Sequence, residues 1–99
     1  VIGLTSSVGE SPRAYWSAYA VSKAALECMV RTWAEELRNT PIRANLYDPG
    51  RTATRMRAIA YPGEDQATLP TAESHADAFV DLAAPDCDKQ GEIIVAKKG

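Results

Sequence analysis

Three short apolar runs, VIGLT at residues 1–5, IRANLY at 42–47 and GEIIVA at 91–96, are separated by stretches with helical spacing, and this alternation constrains the fold of the 99-residue chain more than any other feature. Short apolar, branched runs bounded by turn residues read as buried strands. Strands alternating with helices argue for parallel strands joined by right-handed crossovers. The expected order is strand, helix, strand, loop and helix, strand, with no internal repeat or low-complexity segment. At 45% hydrophobic content the chain can bury one modest core, so one domain or a piece of one is expected.

The first helix is expected over residues 15–39, a stretch rich in Ala, Glu, Arg and Leu. Leu26, Met29, Val30, Trp33 and Leu37 recur at helical spacing and are read as its core face. Arg31 with Glu35, and Glu35 with Arg38, are spaced for weak ion pairs on exposed turns. Val21, Ala25 and Cys28 form a small apolar face suited to close packing on another helix, either of a second copy or within the chain. Pro41 follows the helix, and Asp48, Pro49 and Gly50 end the second strand abruptly. Residues 51–72 are expected to be irregular, with one helical turn at 55–60 before the turn signal YPGED. Thr71 is a candidate cap for a last helix running to about Ala84, where Pro85 stops it.

Several function classes are disfavoured by composition. With 11 basic and 13 acidic residues intermixed and a net charge of −2, no basic stripe advertises a nucleic-acid partner. The apolar runs fall far short of the roughly 18 to 20 residues that span a bilayer, and no charged-then-apolar leader precedes them. The chain therefore reads as soluble and cytoplasmic, without a membrane partner. Cys28 and Cys87 lack the spacing and histidine neighbours of a zinc site, so no metal is expected. They read as reduced thiols, Cys28 packed against a helix neighbour. His75, the one histidine, reads as a solvated residue beside a helix start.

Within the first helix, AYAVSKAAL sets Tyr19 and Lys23 four residues apart, on one helical face. A nearby ammonium favours the phenolate, which suits tyrosine to general acid and base work on an alcohol or carbonyl. With four tyrosines in the chain the pair alone is weak. Ser6, however, stands thirteen residues before Tyr19 at the carboxyl end of the first strand, and Pro49 and Gly50 end the second strand in the same way. Such strand ends are where open α/β folds bind ligands. The motifs S-x-x-G (Ser6 to Gly9), Y-x-x-x-K (Tyr19 to Lys23) and P-G-x-x-x-T (Pro49 to Thr54) occur in order. On these residues the sequence resembles the short-chain dehydrogenase/reductase family.

The resemblance implies an α/β fold, the C-terminal part of a Rossmann-like doubly wound parallel sheet, with residues 1–99 forming the C-terminal half of one family domain. It implies an NAD(P)-dependent oxidoreductase interconverting an alcohol and a carbonyl. Tyr19 would be the catalytic acid/base, Ser6 would hydrogen-bond the substrate oxygen, and Lys23 would tune Tyr19 and bind the nicotinamide ribose. Ser7 competes with Ser6, but the thirteen-residue spacing and the glycine three positions on favour Ser6. Pro49, Gly50, Thr52 through its backbone and Thr54 through its hydroxyl would hold the nicotinamide carboxamide. The glycines at 3, 9, 50, 63, 91 and 99 form no G-x-x-x-G-x-G run for a pyrophosphate, so the 99 residues are expected to be inactive alone. Arg51, Arg55 and Arg57 fall where the family places its substrate lid, and either meet an anionic substrate or lie in a solvated loop. Tyr15 and Trp16 either line a substrate pocket or staple the start of the helix. The alternative is a non-catalytic piece that self-associates through the long helix and an open sheet edge.

Overall fold

A computed structural model of the chain describes residues 1–6, 17–50, 52, 53 and 55–96, with Gln66 described by its backbone alone. Three strands, β1 (Ile2–Leu4), β2 (Asn45–Asp48) and β3 (Ile93–Val95), form one sheet in the order β1-β2-β3. Both pairings are parallel, with Leu4 opposite Tyr47 and Asp48 opposite Val95. Helix α1 (Ser17–Glu36) connects β1 to β2. Between β2 and β3 lie α2 (Arg55–Ala60), 3₁₀ turns at Gln66–Thr68 and Ala72–His75, and α3 (Ala76–Ala83). The alternation of apolar runs and helical stretches thus corresponds to a parallel α/β arrangement.

The central strand is the most buried element: Leu46, and Ala44 just ahead of the strand, are wholly inaccessible. Because successive residues of a strand point to opposite faces, Leu46 and Tyr47 serve different layers. Leu46 joins Val30 and Ala34 of α1, with Leu26 and Ile93 packed alongside. Tyr47 meets Phe79 of α3 edge to face, ring centroids 5.2 Å apart. Helices therefore cover both faces of the sheet. Asn45 is buried in this apolar strand because its amide is satisfied at both ends: it donates to the Lys89 carbonyl at 3.0 Å and accepts from the Glu92 N–H at 3.1 Å.

The close approach of α1 to the sheet depends on small residues. A Cβ on Gly3 would lie 2.9 Å from Leu46 Cδ2 and 3.0 Å from Val30 Cγ2, so only glycine fits there without displacement. At Gly91 the backbone is left-handed, with φ 69°, and an added Cβ would stand 3.2 Å from that of Ala34.

Four expectations need correction. The buried stripe of α1 is Ala20, Glu27, Val30 and Ala34, whereas Met29 and Trp33 are 43% and 38% exposed. Each precedes a buried residue by one position, which on a helix is a rotation of about 100° away from the sheet. Cys28 is exposed rather than packed against a neighbour, and Val21 on the same small apolar face is 66% exposed. Thr71 occupies the cap position ahead of the 3₁₀ turn but makes no side-chain cap bond; its carbonyl instead accepts from the Ser74 hydroxyl at 2.6 Å. His75 is not solvated but buried. Of the two ion pairs considered above, one forms: Arg38, two residues past the end of α1, reaches the Glu35 carboxylate, and its guanidinium holds that carboxyl below the ordinary range. No helix among the described residues is long and apolar enough to cross a membrane.

Candidate active site

Parallel pairing brings the carboxyl ends of β1 and β2 to the same edge of the sheet, and the Thr5 N–H extends the ladder to the Tyr47 carbonyl at 2.9 Å. Ser6 follows directly, half-buried and with bonding partners of its own. Tyr19 lies in the first turn of α1 and Lys23 one turn later. The Lys23 ammonium stands 5.5 Å from the centroid of the Tyr19 ring and donates to the Leu4 carbonyl at 3.0 Å. That bond ties α1 to the last residue of β1, two positions before Ser6. Helical spacing supplies the Tyr–Lys adjacency, and the strand end supplies the acceptor that fixes the ammonium. The structure therefore sets the Tyr19–Lys23 pair against the last residue of β1, two positions before Ser6.

The end of β2 forms the neighbouring wall. Gly50 takes a left-handed conformation, φ 67°, which lets its N–H turn back to Asp48 Oδ1 at 2.9 Å. Thr52 is buried, and its hydroxyl approaches the Gly50 carbonyl at 3.4 Å and the Pro49 carbonyl at 3.5 Å. The same hydroxyl lies 3.0 Å from His75 Nε2. Ala53 bonds through its N–H to the Pro70 carbonyl at 2.8 Å and pairs with Thr71 in an isolated parallel bridge. The loop after β2 is thus tied down by side chain and backbone to the segment that leads into α3. Thr54 and Arg51 lie outside the described residues, as do Ser7, Gly9, Tyr15 and Trp16.

Two residues near the site escaped sequence reasoning. Glu27, one turn beyond Lys23, is buried and accepts a hydrogen bond from the Thr5 hydroxyl. Its position on the Ala20, Val30 and Ala34 stripe was the available signal, because a carboxylate on a core face needs a partner. His75 is the second: its Nδ1 lies 2.7 Å from the Tyr47 hydroxyl. Burial, and then the adjacent Asp48 carboxylate, push the Tyr47 phenol above its ordinary range, so it is a neutral donor at physiological pH. No local pattern around TAESHADAF announces this, since the partners are 23 and 28 residues away.

The lid arginines divide. Arg55 is exposed, while Arg57 is engaged internally, bonding the Glu64 carboxylate through Nε at 2.7 Å and Nη2 at 3.0 Å and stacking 3.8 Å from the Tyr61 ring centroid. The bonds to Glu64 raise its already high pKa. Arg57 is thus neither a solvated charge nor an uncommitted anion receptor. Among the described residues no group of His, Cys, Asp and Glu could hold a metal ion.

Residues 1–65 match the family model for short chain dehydrogenases. The chain is 48% identical over 67 residues to the uncharacterized oxidoreductase YciK of Escherichia coli K12, covering 68% of this chain and 26% of that protein. It is 50% identical over 56 residues to an NADPH-dependent aldehyde reductase-like protein, chloroplastic, of Arabidopsis thaliana, covering 57% of this chain and 21% of that one. Among solved structures, a short chain dehydrogenase from Salmonella enterica serovar Typhi CT18 superposes with a TM-score of 0.92 at 39% identity, over 98% of this chain and 40% of its own. A protein of the same class from E. coli CFT073, solved in complex with NADPH, superposes with a TM-score of 0.90 at 37% identity, over the same shares. The chain spans about a quarter of the length of these curated relatives. With its parallel sheet, its flanking helices and a match covering most of its sequence, the chain belongs to the short-chain dehydrogenase/reductase family.

Proposed function

We propose that the chain is the C-terminal half of a domain that interconverts an alcohol and a carbonyl with NAD(P), Tyr19 acting as the acid/base. The observation that carries this reading is the Lys23 ammonium near the Tyr19 ring and bonded to the Leu4 carbonyl, at the strand end that leads into Ser6. The names of the relatives support the chemistry: one is an NADPH-dependent aldehyde reductase-like protein and another was solved with NADPH.

The donor set suits a nicotinamide nucleotide. Lys23 has three N–H donors, of which Leu4 takes one, leaving others for ribose hydroxyls. Around Gly50 the space is open, with no atom within 4 Å of where a Cβ would stand, so backbone can approach a ligand. In this reading Pro49, Gly50 and Thr52, with Thr54, hold the carboxamide. Hydride exchange is the chemistry that a bound nicotinamide supplies.

The chain's own residues do the rest. Tyr19 gives its proton to the oxygen of a carbonyl being reduced, or takes it from an alcohol being oxidised. Ser6 donates a hydrogen bond to that oxygen, where negative charge develops. Lys23 stabilises the phenolate that remains on Tyr19. Because these 99 residues hold no glycine-rich pyrophosphate turn, turnover is expected of the full-length protein rather than of this chain alone. The exposed face of Val21, Ala25 and Cys28 supports self-association through α1.

The test is Tyr19→Phe in the full-length protein, assayed with NADH and NADPH against a panel of aldehydes and ketones. Turnover should fall at least about a hundredfold while cofactor affinity holds. Unchanged turnover would remove the catalytic assignment.

A further inference from the structure

The side chains of Tyr47, His75 and Thr52 form a continuous buried chain from β2, through the start of α3, back to the loop that follows β2. Its proton directions can be worked out. Among the described residues the Tyr47 hydroxyl has one acceptor, His75 Nδ1 at 2.7 Å, so it must donate there or leave its proton unmatched in a buried site. That leaves Nδ1 unprotonated. The imidazole then carries its single proton on Nε2 and donates it to Thr52 Oγ1 at 3.0 Å. Thr52 in turn directs its own proton toward the Gly50 and Pro49 carbonyls, which lie 3.4 and 3.5 Å away. In this direction every donor has an acceptor. In the reverse direction the Tyr47 proton has none among the described residues.

The arrangement is also braced sterically. Tyr47 meets the imidazole edge to face at 5.6 Å and Phe79 at 5.2 Å, which fixes the phenol on which the first bond depends. The Ala53 N–H bond to the Pro70 carbonyl ties the same two segments through the backbone. Removing the histidine would therefore leave the loop attached by its backbone but free the Thr52 hydroxyl to turn.

We propose that His75 is a positioning residue: as the neutral Nε2–H tautomer it accepts from Tyr47 and donates to Thr52, and so holds Thr52 against the Pro49 and Gly50 carbonyls in the arrangement that grips the nicotinamide carboxamide. The last clause rests on the functional reading above; the tautomer and the bond to Thr52 do not. His75 touches neither substrate nor cofactor in this scheme and acts through Thr52.

The experiment has two arms on the full-length protein. In the first, ¹⁵N-histidine NMR reads the His75 ring nitrogens, selected among any other histidines by the signals lost in His75→Gln. An unprotonated Nδ1 and a protonated Nε2 are expected, with tautomer mixing in Tyr47→Phe; an Nδ1–H tautomer in the wild type overturns the proposal. In the second, NADPH and NADH dissociation constants and steady-state kinetics are measured for His75→Phe, which keeps the ring volume, and His75→Gln, whose amide can still donate to Thr52. His75→Phe should weaken cofactor binding about tenfold, with a smaller change in kcat, and His75→Gln should recover most of the loss. Equal cofactor affinity in wild type and both variants, or equal loss in both, overturns the positioning role. If the wild type binds neither nucleotide, the functional reading falls and takes the carboxamide clause with it, while the NMR arm still decides the hydrogen-bonded chain.

Discussion

The ammonium of Lys23 sits 5.5 Å from the centre of the Tyr19 ring, one helical turn away, and is held there by a bond to the end of the adjacent strand. Replacing Lys23 with Met keeps the stem and removes the charge. In the full-length protein this should lower kcat by about a hundredfold or more and weaken NAD(P)H binding as well, because the function proposed above gives this one group both tasks. Steady-state kinetics with a direct cofactor titration separates the two effects, and a loss in kcat with unchanged cofactor affinity would count against Lys23 as a ribose ligand.

A Cβ at Gly3 would stand 2.9 Å from Leu46 Cδ2 and 3.0 Å from Val30 Cγ2. Gly3→Ala should destabilise the fold by about 1–3 kcal/mol, since the neighbours it meets are themselves packed in the core and have little room to yield. Thermal unfolding of the two proteins at one pH measures this directly; an unchanged Tm would mean that α1 can lift from the sheet at little cost.

Glu64 holds Arg57 through two hydrogen bonds in a partly covered setting, with side chains 21% exposed on each partner. Glu64→Gln keeps the size and removes the charge, and should lower stability by about 1 kcal/mol, less at high salt. Denaturant titration at two ionic strengths is the check. A loss that does not respond to salt would assign the effect to packing on Tyr61 rather than to charge.

Tyr47 titrates above its ordinary value of about 10 in the folded chain, through burial first and the Asp48 carboxylate second. The unfolded chain therefore loses this proton at lower pH than the folded one, so it binds fewer protons through that window. The stabilisation is fully present below about pH 10 and is lost as pH rises through the folded value. In Tyr47→Phe this alkaline component of the stability profile should vanish. Unfolding measured from pH 8 to 11.5 on both proteins tests it, and parallel profiles would exclude Tyr47 as its source.

What the sequence determined by itself was whatever depends on local spacing. The branched runs at 1–5, 42–47 and 91–96 contain the three strands but for Asp48 at the end of β2, because alternation of short apolar runs with helical stretches leaves a parallel sheet as the economical way to bury both. The four-residue interval of Tyr19 and Lys23 was enough to place them together, since the helix alone guarantees it. The short helix at Arg55–Ala60 was legible for the same reason.

Tertiary structure decided the rest. Helix α1 carries two competing apolar faces, and its periodicity cannot say which one meets the sheet. That choice was made by shape: Gly3 and Gly91 leave room for Val30 and Ala34, so this stripe packs inward and carries Glu27 with it, while Met29 and Trp33 turn out. Likewise, His75 looked like a solvated histidine because hydrogen bonds to residues 23 and 28 positions away leave no trace in local pattern. Burial turns a polar side chain from a surface feature into a group that must find every partner it can bond, and only the folded chain supplies Tyr47 and Thr52 on either side of the ring.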